Sequence, residues 1–330
     1  MLNSTEASKS TRRMLLLTKF MAVFAFIGRY GTIAVALSIF LGIAFPGFAA
    51  MLKPWLGEAV VALLVLSFLR VSPAALGALA RRPLIVLLAS GWLMLLLPTA
   101  FAIVFTAFGL HKTTPDLYFI LILQSCSPAL MSAPAMAALM GLDVALTLAC
   151  MLGSMAVVPL VAGVSTHLFL GHSVIDPLPF SLKLFALIAG SAAGAAIVRR
   201  VVGGHRIEVN YEFLDGLSVL AMFVFAMAAM DGVTAYALAE PGFVAVLTAF
   251  VFALSIGTIF VTTLVFAPAG RERAFAIGIL TGNRNMGVML AATGFAIPPA
   301  AWLYFGLAQF PIYLLPVVLK WLARRMAKNR

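Results

Sequence analysis

From Ala274 to Leu319 the chain carries a single charged residue, Arg284. At 1.5 Å per residue, Arg284 lies roughly 16 Å beyond Arg273, near the middle of a ~30 Å hydrocarbon layer. An arginine at that depth costs between ~3 and more than ~10 kcal/mol unless a partner or a water-filled cavity receives it. Its neighbours Thr281, Gly282, Asn283 and Asn285 are weak helix formers that offer polar groups to the backbone. The expectation is a helix that breaks at Thr281–Asn285 and lines a binding site.

The rest of the chain supports a membrane setting. It is 63% hydrophobic and 10% charged, against about 25% charged for a soluble domain. An all-α polytopic membrane protein follows. The net charge of +11 would suggest nucleic acid in a soluble protein. Here the basic residues fall in short loops and tails between apolar runs, so membrane lipid is the expected surrounding and nucleic acid is not a partner. Cys126 and Cys150 are the only cysteines and both lie in apolar runs, while the four histidines lack metal-ligand spacing. No disulfide framework, metal or cofactor is expected. No Ser/His, paired-Asp or His/Glu constellation lies inside the spans, so an enzyme is not expected.

Hydropathy predicts ten spans at about 30–46, 57–74, 83–109, 115–140, 142–169, 179–198, 212–234, 241–267, 274–297 and 300–322. Proline and glycine, at Pro46-Gly47, Pro177 and Pro179, Pro241-Gly242 and Pro298-Pro299 among others, separate them. Met14–Ile27, behind Lys9, Arg12 and Arg13, reads as an interfacial amphipathic segment or the start of the first span. With the N-terminus inside, seventeen of the 22 Lys and Arg fall on the inner side, and only Lys53, Lys112 and Lys183 fall outside. That bias places both termini in the cytoplasm; the expected location is the plasma membrane, or the inner membrane of a bacterium.

Two spans share a design. Span four runs from Pro115-Asp116 to Gln124-Ser-Cys-Ser-Pro-Ala-Leu-Met-Ser-Ala-Pro134, and span nine runs from Arg271 to Thr281-Gly-Asn-Arg-Asn285. Each interrupts an apolar run near mid-depth with polar, Pro or Gly residues. With five spans per half, the second copy is inverted relative to the first. Paired interruptions at matching places in two halves point to a transporter's binding site. Non-helical backbone at this depth must be buried in protein or line a cavity.

At these residues the chain resembles the bile acid:sodium symporter family. The family's Pro-Gly-Gly-Thr-Ala-Ser-Asn and Leu-Ala-Arg-Gly-Asn-Val-Ala-Leu-Ser stretches register on Pro128-Ala-Leu-Met-Ser-Ala-Pro134 and Leu139-Met-Gly-Leu-Asp-Val-Ala-Leu-Thr147 without a gap. Its Glu-Val-Gly-Met-Gln-Asn registers on Leu280-Thr-Gly-Asn-Arg-Asn285. The resemblance implies ten helices in two inverted five-helix repeats, with helices four and nine broken where they cross. It also implies a division into an N-terminal segment 1–29, panel helices in 30–80 and 179–236, core helices in 83–169 and 241–322, and a basic tail 323–330.

The departures bear on mechanism. The family's sodium-ligand positions are occupied here by Ala133, Pro134, Leu280 and Arg284, and only Thr147 keeps a hydroxyl on span five. The resulting expectation is a secondary transporter of a small or amphipathic organic anion, working by alternating access without sodium. Its substrate-binding candidates are Arg284, Asn283, Asn285, Thr281, Ser132, Ser127, Gln124 and Thr147. Asp231, near the outer end of span seven, is a candidate proton carrier, a candidate partner of Arg284, or a residue of the outer surface. Asp143 is expected to cap span five. Alternatives are a sodium-coupled symporter, an arsenite exporter (Ala129 stands where that branch has its cysteine, with Cys126 nearby), or a channel or sensor on the same scaffold. Arg284 itself can bind substrate, or pair with a carboxylate or freed backbone carbonyls.

Overall fold

A computed structural model of the chain describes residues 31–71, 77, 83–171 and 174–328. The expected interfacial segment at 1–29 and the loop arginines Arg81 and Arg82 lie outside them. The described residues are helical apart from connections and one isolated bridge. The main helices are α1 (Gly31–Ala44), α2 (Pro46–Leu69), α3 (Pro83–Ala107), α4 (Pro115–Ser125), α5 (Ala133–Met140), α6 (Val144–Leu170), α7 (Pro177–Val202), α8 (Tyr211–Ala239), α9 (Pro241–Val265), α10 (Arg271–Gly282), α11 (Met286–Ala292) and α12 (Pro299–Lys328), with short helical turns at Leu110–Thr113 and Gly204–Val209. Among the described residues seven of these, α2, α3, α6, α7, α8, α9 and α12, are long and apolar enough to cross a membrane, and α1 holds a shorter apolar stretch. This is the architecture of a helical integral membrane protein.

Local chemistry sets the ends. Proline opens α2, α3, α4, α7, α9 and α12, where its missing N–H costs nothing and its φ suits the first turn. Asp143 caps α6 by accepting from the Leu146 amide at 3.0 Å, as expected, and Asp176 caps α7 through Leu178. α2 starts at Pro46 instead of near residue 57, because a 3-10 turn at Lys53–Trp55 carries one helix into the next without a break. α8 bends at Ala229–Gly232.

α1 packs on α8, and α2 on both α7 and α8; α9 packs on α10 and α12, α5 on α6, and α4 on α12. α10 is buried along its length from Ala274. α7, by contrast, turns Leu178, Leu182, Phe185 and Ile197 outward, as a helix facing lipid does. Two helix pairs, α4/α5 and α10/α11, are the interrupted ones. They lie at the centre of the packed helices.

Candidate functional site

The two interruptions meet. Asn283 is extended (φ −114, ψ 98), and an antiparallel bridge joins Ala129 to Arg284. Leu130 N donates to Asn283 O at 3.2 Å and Asn285 N donates to Pro128 O at 2.9 Å. The neighbouring spans complete the satisfaction of this backbone. Ser154 of α6 accepts from Ala129 N at 3.1 Å, and Ser255 of α9 donates to Gly282 O at 3.0 Å. Each strand therefore hands its polar groups to the other strand or to a serine, which is what unwound backbone inside a bilayer requires.

Arg284 sits in this crossing at 4% exposure. Its Nε donates to Thr281 O at 3.0 Å, and Nη1 donates to both Leu93 O and Ser127 O at 2.9 Å. Leu93 belongs to a π-helical turn, Trp92–Leu96, in α3; such a turn breaks the regular helix ladder and makes a carbonyl available to an outside donor. The guanidinium thus ties α3, the α4–α5 connection and the end of α10 to one positive charge. Nη2 is buried and has no partner.

Beside it lies a cavity of about 650 Å³. Arg284, Asn285, Ser132 and Gln309 supply polar groups to its wall, and Met131, Met136, Met151, Met222 and Met286 supply much of the apolar surface. The Asn285 amide nitrogen is a second buried donor without a partner. Val60, Leu63, Ser67 and Arg70 line one side at helical spacing along α2; Tyr211, Asp215, Ser218, Met222 and Phe225 do so along α8. Ten residues from Val60 to Arg70 give the cavity a depth of roughly 15 Å. At one end Arg70 and Asp215, both partly exposed, pair at 2.7 Å, and Arg70 donates to Ser218 Oγ at 2.9 Å. Among the described residues Arg70, Asp215 and Arg284 are the charged ones on the wall.

The opposite end is tightly packed. A Cβ on Gly287 would come within 2.9 Å of the Phe225 ring and 3.4 Å of Val60, and one on Gly306 within 2.8 Å of the Ala229 carbonyl. Glycine at both positions lets α11 and α12 press against α8 and α2. Beyond them Lys53 Nζ lies 2.8 Å from Asp231 Oδ2 and 4.1 Å from the centre of the Trp302 ring, and the Trp302 indole donates to Asp231 O at 2.9 Å.

The expected site residues divide accordingly. Arg284, Asn285 and Ser132 reach the cavity wall. Ser127 contributes its carbonyl, while its hydroxyl bonds back to Leu123 O at 2.8 Å. Thr281 and Gln124 line a second, small void of about 10 Å³, room for one water, which Arg284 also borders. The Thr281 hydroxyl bonds to Gly278 O and Thr262, and Gln124 accepts from the Tyr304 hydroxyl. Asn283 donates to Ile279 O, leaving its Oδ1 buried without a partner. Thr147 bonds to Asp143 O at 2.8 Å and is not on the cavity wall. Asp231 pairs with Lys53 and not with Arg284, whose described partners are all backbone carbonyls. Of the sodium-ligand positions, Ala133 and Leu280 are buried apolar side chains and Pro134 lines the cavity.

Sequence reasoning missed Leu93, Ser154, Ser255, Arg70 and Gln309. Gln309 was the most findable, being the one side-chain amide in the apolar run after Ala300. No group of three or more His, Cys, Asp or Glu that could hold a metal occurs among the described residues. No protein-family model matches the chain, and no curated protein matches it.

Proposed function

We propose that the protein is a secondary transporter of organic anions that works by alternating access and holds its own cation, Arg284, where the family it resembles binds sodium. One observation carries the reading. Two buried donors without partners, Arg284 Nη2 and Asn285 Nδ2, belong to adjacent residues of the same cavity wall and lie just behind its accessible surface. Donors left unmade inside a protein cost about 1–3 kcal/mol each, more when charged. A carboxylate, planar and able to accept two parallel bonds, matches such a pair. The methionine-rich wall suits an apolar or amphipathic body of variable shape.

Counting α4/α5 and α10/α11 as one broken span each yields ten spans, five per half. α3–α6 with α9–α12 then form the core, and α1, α2, α7 and α8 form the panel. By the charge bias the cavity opens to the cytoplasm, and the Lys53–Asp231–Trp302 end faces outside.

Electrostatics argues against sodium coupling. A sodium ion ~4 Å from the guanidinium would meet a repulsion of about 4 kcal/mol at an effective dielectric of ~20, near a thousandfold in affinity. Arg284 also occupies three carbonyls around the crossing, those of Thr281, Ser127 and Leu93 of α3. The test is thermal stability of purified protein against benzoate, hexanoate and larger carboxylates, with choline as the only added cation. A ligand at 100 times its Kd stabilises by about 2.7 kcal/mol. Stabilisation in choline that disappears in Arg284→Gln supports the reading. Stabilisation that requires sodium, or persists unchanged in Arg284→Gln, refutes it.

A further inference from the structure

We propose that this protein is an obligatory anion exchanger, which reorients only with an anion bound and so moves one anion in for each one out. The inference rests on the anion reading above and on a property of the fixed charge. A sodium ion leaves its site when substrate does; the Arg284 guanidinium cannot. Its described partners are three carbonyl oxygens, dipoles and no carboxylate. Arg70 and Asp215, the other charged residues on the wall among those described, already neutralise each other at 2.7 Å. Among the described residues the wall therefore carries one uncompensated positive charge.

The surroundings of that charge are asymmetric. On one side lies the cavity of about 650 Å³, which has room for water. On the other, α11 and α12 are pressed against α8 with no room for a single added carbon at Gly287 or Gly306. To change sides, the protein must close the cavity over Arg284 before the far end opens. Arg284 is itself only 4% exposed, so it is the water in the cavity beside it that screens the charge; closure expels that water, and an ion left in a dry interior without a counter-ion is strongly disfavoured. A carboxylate on Nη2 and Asn285 makes the moving site neutral at the moment the water leaves. The loaded form crosses, and the empty form waits. Even the lowest figure for an unpaired arginine in the bilayer corresponds to empty reorientation about a hundredfold slower than loaded reorientation.

The test reads the reorientation rate directly. Dyes are placed at Val209→Cys and Arg271→Cys, two exposed positions on the panel and core sides. Cys126 and Cys150 are buried and take no label. Single-molecule energy transfer is then recorded from the full chain in lipid nanodiscs, with choline chloride alone or with added benzoate. The expected result is rare switching in the empty wild type and at least tenfold more frequent switching with benzoate. Arg284→Gln and Arg284→Met are expected to switch fast when empty and to ignore benzoate, while Arg284→Lys, which keeps the charge, stays slow. In proteoliposomes labelled benzoate then accumulates by exchange only where unlabelled benzoate is trapped inside, above the passive leak seen in protein-free vesicles. Empty wild type that switches as often as benzoate-bound wild type overturns the proposal, and this comparison needs no variant to fold. Benzoate that stabilises the protein but leaves the switching rate unchanged overturns it too. Absence of stabilisation by any carboxylate is a different result: it removes the anion reading on which the proposal stands.

Discussion

Ser154 and Ser255 are expected to hold the crossing together out of proportion to their size. Ser154→Ala leaves the Ala129 amide, and Ser255→Ala the Gly282 carbonyl, without its side-chain partner in the dry centre of the protein. Interhelical side-chain hydrogen bonds in membrane proteins average about 0.6 kcal/mol, because the unfolded chain in lipid finds substitutes. These two differ, since the partner is backbone that has left its helix and has no ladder to return to. The cost of an orphaned buried group, about 1–3 kcal/mol, is then the better guide. We expect about 1–2 kcal/mol for each. The double variant should depart from additivity, because both serines brace the same bridge. Ser125→Ala and Ser127→Ala are matched controls. Both are buried, and their hydroxyls bond mainly back to Ile122 O and Leu123 O of their own helix. They are expected to cost under about 0.5 kcal/mol. Denaturant titration in mixed micelles, followed by tryptophan fluorescence, measures all four. Equal losses for the two pairs would refute the claim that the crossing is satisfied from its neighbours.

Other outcomes follow from the same geometry. Lys53→Met and Asp231→Asn should each lower stability by about 1 kcal/mol, with a double-mutant coupling of similar size that shrinks in high salt, since the pair is partly exposed. Gly306→Val should cost about 1–3 kcal/mol, because its Cβ would lie 2.8 Å from a backbone carbonyl that cannot rotate away; a thermal melt in detergent reads it. Arg284→Lys should lose stability by about 1–3 kcal/mol, since one ammonium cannot reproduce the planar fork that reaches Thr281, Leu93 and Ser127; the same melt tests this. Replacing sodium by choline should leave benzoate affinity within about twofold, measured by calorimetric titration.

The break at Thr281–Asn285 was legible because arginine and asparagine are costly in an apolar run, and so was its match at Pro128–Pro134. The cap at Asp143 could also be read from the residues alone. What holds Arg284 could not. Leu93 has no polar side chain, and its role depends on a π-helical turn that leaves no mark in Trp92–Leu96. Ser154 and Ser255 look like any serine inside a span, where bonding back to the same helix is the usual fate. Thr147 was placed at the site by register with the family's ligands, but its hydroxyl turns back to Asp143 O. The pairing of Lys53 with Asp231 joins residues 178 positions apart, and only tertiary packing decides such a partner.

The central claim is that a carboxylate sits on Arg284 and Asn285 at the blind end of the cavity. The most direct measurement is the structure of the protein with 4-bromobenzoate, locating bromine by its anomalous scattering. The account predicts the carboxylate within about 2.7–2.9 Å of Arg284 Nη2, with the bromine among the methionines toward Arg70. Bromine found only outside the cavity, or a carboxylate held at Arg70 with Arg284 Nη2 still unpartnered, would contradict it.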